Sequence, residues 1–224
     1  MRSLAAIAIV ALLSTVEAGL QARQQNRPEP RTGHLFPPEN LGLLESPDRD
    51  AWQKPEQIMD TLGIAERSKV ADIGPGSGWF TIRLARRVGP NGLVYAEDIQ
   101  RQMLEATRRR VGREGLKNVE TRQGTGNDPN LPARTLDAIL MVDMYPEVDV
   151  DDRVPFLRNL AAALKPNGRV GVVNYKPGQG GPGPAPNEGV RVDSSAVEAD
   201  ARAAGLRVLR RENLPFHYLL VLGR

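Results

Sequence analysis

Three glycines alternate along the chain directly after a short apolar run. The run covers residues 70–73, and Gly74, Gly76 and Gly78 follow it. Glycine lets the backbone turn tightly and lets a ligand approach it closely, and the N–H groups at the start of a following helix favour an anionic group. Apolar residues at helical spacing continue over Trp79–Val88. The spacing therefore predicts a strand, a glycine turn and a helix that together hold a nucleotide-type ligand.

An acidic pair ends the next predicted strand, Gly92–Asp98. Asp98 follows Gly78 by 20 residues, and an acid at this position accepts hydrogen bonds from ribose hydroxyls in nucleotide-binding α/β folds. Glu97 is a neighbouring candidate for the same role. The alternative for Asp98 is a solvated loop acid, or a cap for the predicted helix Arg101–Val111.

A strongly apolar strand is predicted between Asp137 and Asp143. Ligands of open α/β sheets bind outside the carboxyl ends of the strands, so Asp143, Met144 and Tyr145 lie where chemistry is expected. Asp143 and Tyr145 are the candidate catalytic residues. Asp137, at the opposite end of the strand, is interpreted as structural.

These residues need an alternating framework of strands and helices to bring them together. The pattern predicts a further strand over Val119–Arg122 and a helix over residues 156–164, which ends at Lys165–Gly168. A strand over Arg169–Tyr175 and a helix over Ser194–Ala204 are predicted next. The last predicted elements are a pair of strands, Leu206–Arg211 and His217–Leu222. Alternating strands and helices favour the α/β class with a mainly parallel sheet.

The composition limits the classes of protein to which this chain can belong. Its 224 residues suit one α/β domain with an N-terminal extension, and 40% hydrophobic residues supply a sizeable core. Aromatic residues make up only 4%, which argues against a stacking platform for single-stranded nucleic acid. The net charge of +3 is too small to indicate a polyanionic partner, and the run Arg108–Arg110 is interpreted as a solvated helix face, with a nucleic-acid patch as the alternative. The chain has no cysteine, so disulfides, zinc thiolate sites and thiol catalysis are excluded, and no metal site is expected.

Residues 1–18 predict a secretory signal peptide. Arg2 precedes the apolar stretch Leu4–Leu13, and small residues before the junction favour cleavage after Ala18. An uncleaved membrane anchor is the alternative. Residues 19–33 are polar and predict a flexible linker, and the main domain follows over residues 34–224, with a cap region over 34–66. We expect export, to the periplasm, and no stable membrane span after cleavage.

The glycine pattern and several later stretches resemble the class I methyltransferases that use S-adenosylmethionine (SAM). Residues 72–78 read D-x-G-x-G-x-G, which resembles motif I of that family, and VYAEDIQRQML resembles its second-strand motif. LKPNGRVGVV resembles the LKPGGR signature that precedes the family's fifth strand. The resemblance implies a Rossmann-like fold, with a seven-stranded, mostly parallel sheet, an antiparallel last strand and helices on both faces.

The resemblance also implies roles for residues around the cofactor. The glycines shape the cradle for the methionine and ribose parts of SAM, Asp72 orients its amino end, and the cap region lies over the methionine. Asp98, with Ile99 beside it, holds the ribose. Polar residues in the loop Gly124–Pro132 line the adenine: Gly126, Asn127 and Asp128. For this loop an ordinary Asn-Asp-Pro turn is the alternative.

The chain also resembles a narrower group of bacterial, often exported methyltransferases, and it departs from that group at a residue that concerns catalysis. The similar stretches here are WQKP, NDPNLP, VDMYPEV and LPFHY. Pro146 stands where the group commonly has a histidine that can accept a substrate proton, and the chain has only His34 and His217. Either the substrate needs no such base, or Tyr145, Asp143 or His217 replaces it, or catalysis is lost. His217, on an apolar strand, is interpreted as a packed and hydrogen-bonded residue rather than a base.

The sequence thus predicts an enzyme, a SAM-dependent methyltransferase that transfers a methyl group to an O, N, S or C atom of a small-molecule acceptor. The alternative is an exported, non-catalytic SAM- or nucleotide-binding protein, because SAM is made in the cytoplasm and the expected histidine is absent. A dehydrogenase is disfavoured because the glycine spacing is not G-x-G-x-x-G. No nucleic-acid partner is expected, and the sequence carries no indication of the oligomeric state.

Overall fold

The computed structural model describes residues 35–183 and 191–224. The predicted signal peptide and linker lie outside these ranges, as do His34 and residues 184–190. Within the described ranges, no helix has the length and apolar character needed to cross a membrane.

Strands and helices alternate along the described part of the chain. The strands are β1 (Lys69–Ile73), β2 (Leu93–Asp98), β3 (Val119–Gln123), β4 (Leu136–Val142), β5 (Leu164–Tyr175), β6 (Arg207–Asn213) and β7 (His217–Gly223). The α-helices are α1 (Arg49–Gln53), α2 (Pro55–Thr61), α3 (Trp79–Val88), α4 (Arg101–Arg113), α5 (Arg153–Ala163) and α6 (Ser194–Ala203). Two short 3₁₀ helices, Pro38–Leu44 and Tyr145–Glu147, lie before α1 and after β4.

The strands form one sheet in the order β3-β2-β1-β4-β5-β7-β6. Neighbouring strands from β3 to β5 are parallel, and β7 runs antiparallel to both β5 and β6. The chain builds the sheet outward from β1 in one direction and then returns to build from β4 in the other. The switch point, where α/β sheets bind ligands, therefore lies between β1 and β4. The prediction of a seven-stranded, mostly parallel sheet with an antiparallel last strand is confirmed.

Two apolar clusters cover the two faces of the sheet, because side chains alternate along each strand. In β4, Ile139 and Met141 belong to the cluster that includes α5 and α6, whereas Leu140 belongs to the cluster that includes α2 and α3. All three side chains are fully buried, as expected of a central parallel strand with helices on both faces. Truncation of such a side chain to alanine costs about 2–5 kcal/mol, so the strand ends project from a well-packed base.

The fifth strand begins earlier than the sequence indicates. The sequence predicts a helix stop at residues 165–168 and a strand from Arg169, but β5 begins at Leu164. Leu164 pairs with Leu136 of β4, and the register then shifts before Ala138 pairs with Arg169. The Lys-Pro-Asn-Gly turn signal is accommodated as an irregularity at the amino end of the strand, on the edge opposite the switch-point crevice.

Candidate functional site

The glycine loop between β1 and α3 has a backbone that glycine adopts readily. Gly74, Gly76 and Gly78 have φ angles of 66°, 56° and 84°, in the left-handed region that costs other residues roughly 1–2 kcal/mol. The Gly74 N–H donates to the carbonyl oxygen of Glu97 at 2.8 Å, which ties the loop to the end of β2. The three alternating glycines are therefore required by the path of the backbone.

Asp72 lies on β1, two residues before the loop, and its side chain meets α3. The Thr81 hydroxyl donates to Asp72 Oδ2 at 2.6 Å, and Asp72 is only 2% exposed. Burial raises the pKa of the Asp72 carboxyl to about 6, against the lowering effect of the Thr81 hydrogen bond. A buried acid thus stands where one is predicted to orient the amino end of SAM, and that role stays a prediction.

Asp98 and Glu97 end β2 with side chains on opposite faces of the sheet. Asp98 Oδ1 accepts a hydrogen bond from the Gln100 N–H at 2.8 Å, and burial raises the pKa of its carboxyl to about 6. The Asp98 charge acts on both Asp72 and Glu147. Asp98 therefore lies on the face of the sheet that carries the glycine loop. This position favours Asp98 over Glu97 as the residue that binds the ribose, and that role stays a prediction.

Glu97 points instead toward the loop after β3. A Cβ atom at Gly124 would overlap with Glu97 Oε1, and this oxygen has no hydrogen-bond partner among the described residues. Burial raises the pKa of the Glu97 carboxyl well above its ordinary value, and the charges of Asp98 and Asp128 raise it further. These causes favour a protonated Glu97, an unusual buried acid that sequence reasoning considered only as a rival of Asp98.

The predicted adenine loop makes hydrogen bonds of its own. The Thr125 N–H donates to the Asp128 carbonyl oxygen at 2.8 Å. Asn127 Nδ2 donates to Asp152 Oδ1, just before α5, at 3.3 Å. Gly126, Asn127 and Asp128 are all exposed. These bonds are those of an ordinary turn, the alternative interpretation of this loop, and contact with adenine stays a prediction.

The segment before the first 3₁₀ helix bridges the ends of β2 and β4. Beyond β2 the chain passes through the half-buried Ile99 to Gln100, whose Nε2 donates to the Phe36 carbonyl oxygen at 3.1 Å. The Phe36 N–H donates to Glu147 Oε2 at 3.3 Å. Burial raises the pKa of the Glu147 carboxyl to about 7. Sequence reasoning missed Glu147, although an acid so close to the tip of β4 was the signal that could have found it.

The predicted cap region packs against the glycine loop. A Cβ atom at Gly76 would lie 3.0 Å from Leu44 Cδ1, so the close approach of the cap depends on glycine. Glu45 accepts hydrogen bonds from Ser77 and from Arg110 of α4. Arg110 has only 17% of its side chain exposed. Arg108 and Arg109 are exposed as predicted for a solvated face, whereas Glu45 and Ser77 hold Arg110 against the cap.

Arg49 on α1 is a half-buried cation that sequence reasoning did not single out. Its guanidinium lies 4.3 Å from the centroid of the Trp79 ring, Nη1 donates to the Leu44 carbonyl oxygen at 2.8 Å, and Nε donates to Gln53 Oε1 at 3.2 Å. Desolvation lowers the pKa of Arg49, whereas the charge of Asp143 raises it. The RDAWQKP stretch carried the signal, since Arg49 opens a short helix that also holds Trp52 and Gln53.

His217 and Asp143 meet where β4 ends and β7 begins. His217 Nε2 lies 3.1 Å from Asp143 Oδ2, although the two residues are far apart in the sequence. His217 is fully buried, with the Tyr175 ring centroid 4.0 Å away and the Trp52 ring stacked at 5.8 Å with 5° between the planes. His217 is therefore packed and hydrogen-bonded as predicted. Its hydrogen-bond partner is a candidate catalytic residue, which the sequence did not indicate.

Tyr145 turns away from this part of the site, and the catalytic role predicted for it stays a prediction. The residue is fully buried in the cluster that includes α5 and α6, and its hydroxyl donates to Asp200 Oδ2 at 2.7 Å. Burial, followed by the hydrogen bond to Asp200, raises the pKa of the Tyr145 hydroxyl. The short 3₁₀ helix after β4 turns this side chain into the core, while Asp143 remains 25% exposed at the edge.

A search of the described residues finds no group of three or more acidic or histidine side chains arranged to hold a metal ion. The polar groups of the crevice are instead spread along the carboxyl edges of β1, β2 and β4. Such an arrangement suits an extended polar ligand rather than a point charge.

Several of the known proteins that this chain resembles are methyltransferases. A family model described as a methyltransferase domain matches residues 70–168, from β1 to β5. The chain is 33% identical over 123 residues to a ubiquinone/menaquinone biosynthesis C-methyltransferase of Pasteurella multocida, and 32% identical over 124 residues to the nocamycin O-methyltransferase of Saccharothrix syringae. These alignments cover 52% and 54% of this chain but 43% and 42% of those proteins, so the chain spans less than half the length of these curated relatives.

A solved structure covers more of the molecule. A SAM-dependent methyltransferase from Aquifex aeolicus superposes with a TM-score of 0.78 at 28% identity, over 84% of this chain and 98% of that one. The fold is the Rossmann-like fold of SAM-dependent methyltransferases. Together the matches support the class I assignment.

Proposed function

We propose that this chain is a class I SAM-dependent methyltransferase that acts on a small-molecule acceptor. The observation that carries the proposal is the arrangement at the switch point of the sheet. The glycine loop leaves β1 there, and the buried carboxylate of Asp98 stands at the tip of the adjacent β2. Ligands of this fold class bind in this crevice, with an acid of the second strand on the ribose.

The charges of the crevice fit SAM. Three acids with raised pKa values, Asp72, Asp98 and Glu147, surround the loop, and Asp143 lies at the tip of β4. Arg49 is a half-buried cation whose charge acts on Asp72, and the charge of Asp143 acts on Arg49. SAM carries a sulfonium, an ammonium and a carboxylate, so mainly acidic surroundings with the half-buried guanidinium of Arg49 complement it.

Different residues of the crevice would bind different parts of SAM. The glycine loop would hold the methionine and ribose, Asp72 the amino end and Asp98 the ribose hydroxyls, and Arg49 is the candidate for the carboxylate. When bound, SAM supplies a methyl group activated by its positive sulfur. The protein's own contribution is to align an acceptor atom with that methyl group and to exclude water, which accounts for most of the rate in such a transfer.

A small-molecule acceptor is supported by the relatives. Their names specify C-methylation in quinone biosynthesis and O-methylation of nocamycin. Aromatic side chains line the edge beside Asp143, including Trp52 and Tyr175, and such rings suit a planar organic molecule.

The test is calorimetric titration of the purified chain with SAM and with S-adenosylhomocysteine, beside Asp98→Ala. We expect micromolar binding that Asp98→Ala weakens at least about tenfold, or about 1.4 kcal/mol. Asp137→Asn is the matched control, because Asp137 lies at the amino end of β4, where it accepts from the Lys69 N–H at 2.8 Å and from Lys165 Nζ at 2.7 Å. A well-folded wild type that binds neither molecule would overturn the proposal.

The second candidate is a non-catalytic binding protein that keeps this crevice. Pro146 in place of a histidine favours it, and so does the apolar segment Leu4–Leu13, from which we propose export. Methyl transfer from SAM to any acceptor by the purified chain would exclude this candidate. A fusion of residues 1–33 to a reporter that is active only after export tests the location independently.

A further inference from the structure

We propose that His217 is the general base of this site, that Asp143 is its positioning residue, and that the acceptors are phenols or enols. The inference rests on the proposed function and deepens it, because it names the acceptor class and the group that takes the acceptor's proton. It also assigns a function to a histidine that the sequence indicates to be structural.

The geometry sets which nitrogen of His217 is available. Nε2 lies 3.1 Å from Asp143 Oδ2, and a carboxylate only accepts hydrogen bonds, so Nε2 must carry the proton of the neutral ring. The second nitrogen, Nδ1, then keeps its lone pair. Nδ1 has no hydrogen-bond partner among the residues that the structure describes. A carboxylate that fixes the tautomer and a free nitrogen on the other side of the ring are the two requirements of a histidine base.

Packing alone does not explain this arrangement. A buried polar atom without a hydrogen-bond partner destabilises the fold, and within the described part Nδ1 of His217 and Oδ1 of Asp143 are both such atoms. Asp143 also has a φ of 58°, in the left-handed region that residues other than glycine seldom adopt. Unsatisfied polar atoms and backbone strain at the same pair of residues indicate a functional constraint.

The pair lies beside the cofactor crevice. Asp143 precedes Met144, whose Cβ would lie 2.8 Å from a Cβ placed on Gly74 of the glycine loop. The Asp143 N–H donates to the Val173 carbonyl oxygen at 2.8 Å, which anchors the strained residue to β5. A base at this place therefore stands next to the loop that holds the methyl donor.

The surroundings indicate an aromatic or enolic acceptor. Trp52 stacks on His217 with 5° between the ring planes, and Tyr175 packs against the same imidazole. Trp52 is half-buried, and its Nε1 donates to the exposed Asp48 at 3.2 Å. Aromatic rings on two sides of the imidazole suit a planar acceptor at this place.

The acidity of the acceptor decides whether a histidine can serve. A phenol with a pKa near that of tyrosine, about 10, is close enough to imidazole for proton transfer during methylation, whereas an aliphatic alcohol is far less acidic. The acceptor O–H gives its proton to His217 Nδ1, and its oxygen forms a bond to the methyl carbon with its own electron pair. The carbon–sulfur bond breaks with its pair left on sulfur, so the products are the methyl ether, S-adenosylhomocysteine and a protonated histidine.

The first experiment measures the tautomer without any acceptor. The chain has two histidines, so nitrogen NMR of histidine-labelled protein gives two sets of ring signals, and His217→Gln assigns them. We expect wild-type His217 to carry its proton on Nε2 and to have an unprotonated Nδ1. We expect Asp143→Asn to shift the population toward the other tautomer, because an amide can donate to Nε2. A wild-type ring protonated on Nδ1 would overturn the assignment.

The second experiment compares acceptors of graded acidity with His217→Gln. Glutamine places an amide nitrogen near Nε2 and can keep the bond to Asp143, but it has no basic lone pair. We expect kcat/KM for phenol and catechol to fall by at least about 100-fold. For para-nitrophenol, which is already ionised in mildly alkaline buffer and needs no base, we expect a change of no more than about threefold.

The outcomes separate this inference from the proposed function. Unchanged binding of S-adenosylhomocysteine by His217→Gln, together with the selective loss on the less acidic phenols, supports the base. Equal rates for wild type and variant, equal losses on all phenols, or turnover of amines and thiols alone would overturn it while methyl transfer stands. Failure of the wild type to bind S-adenosylhomocysteine is the separate result that overturns the proposed function.

Discussion

At the scale of single residues, the site is a set of carboxylates removed from water. Asp72, Asp98 and Glu147 are each more stable in the protonated form than an exposed carboxyl would be, since burial is the largest cause of each pKa shift. An ionised acid held in this way is destabilised until a ligand supplies donors or positive charge. Binding and stability are therefore opposed at the same side chains, as is common at functional sites.

Asp72→Asn tests this opposition through stability. The pKa of Asp72 is about 6, against an ordinary value of 3.8, so between these values the folded chain binds more protons than the unfolded chain. Its contribution to stability then falls as pH rises through that window, by about 3 kcal/mol in full. We expect Asp72→Asn to raise the free energy of unfolding by about 1–3 kcal/mol near pH 7.5 and to change it little near pH 4, in urea denaturation of the ligand-free chain.

Asp137→Asn is again the control, because Asp137 is paired with Lys165 at the surface. The Asp137 side chain is 36% exposed, and we expect Asp137→Asn to bring no gain in stability. A loss of stability in Asp72→Asn near pH 7.5 would show that the Thr81 hydrogen bond outweighs the burial of charge.

At the scale of elements, the best-defined unit is the strand, glycine loop and helix from β1 to α3. Its helix runs from Trp79 to Val88 in the structure, with the bounds that the sequence predicts. Local chemistry decides this unit, because glycine positions and an amphipathic helix lie within one short stretch. By contrast, the start of β5 depends on pairing with β4, which no local pattern encodes.

Gly78→Ala and Gly205→Ala form a matched pair for this unit. Both glycines have positive φ angles, 84° and 82°, so each alanine should cost roughly 1–2 kcal/mol of stability in thermal or urea unfolding. A Cβ at Gly78 would meet Thr107 Cγ2 of α4 at 3.3 Å, whereas nothing lies within 4 Å of one at Gly205.

We expect Gly78→Ala, but not Gly205→Ala, to weaken binding of S-adenosylhomocysteine by about tenfold or more. The reason is that only Gly78 belongs to the predicted cofactor cradle. Equal affinities in the two variants would separate the glycine loop from the cofactor.

At the scale of the whole molecule, the order of strands in the sheet assembles the site. The tips of β2, β1 and β4 are neighbours, so Asp98, the glycine loop and Asp143 share one crevice. The antiparallel β7 starts at the same edge, next to the end of β5, and its first residue His217 pairs with Tyr175. The carboxyl edge thus combines the predicted cofactor residues with a base from the last strand.

Ligand-dependent thermal stability reports on this assembly. A ligand that binds only the folded chain raises the melting temperature, and the rise grows with the logarithm of its concentration divided by its Kd. Burial raises the pKa of Asp98 to about 6, and the ribose hydroxyls need the ionised carboxylate as acceptor. The rise in melting temperature caused by S-adenosylhomocysteine should therefore be larger near pH 7.5 than near pH 5. If Asp98 must lose one proton before binding, the affinity at pH 5 is about tenfold lower.

Asp98→Asn should remove most of the difference between the two pH values, because its amide does not titrate. Equal shifts of wild type at both pH values would place the ribose elsewhere than on Asp98.

The sequence by itself determined the class of fold, the glycine loop and the candidate cofactor residues Asp72 and Asp98. Each depends on short-range features: a turn that requires glycine, a helix with an apolar stripe and an acid at the end of a strand. Only the tertiary structure decided that Tyr145 turns into the core, that Glu147 and Arg49 border the crevice, and that His217 meets Asp143. Those contacts join residues from different strands and helices, and they arise from strand order and packing, which act between distant parts of the chain.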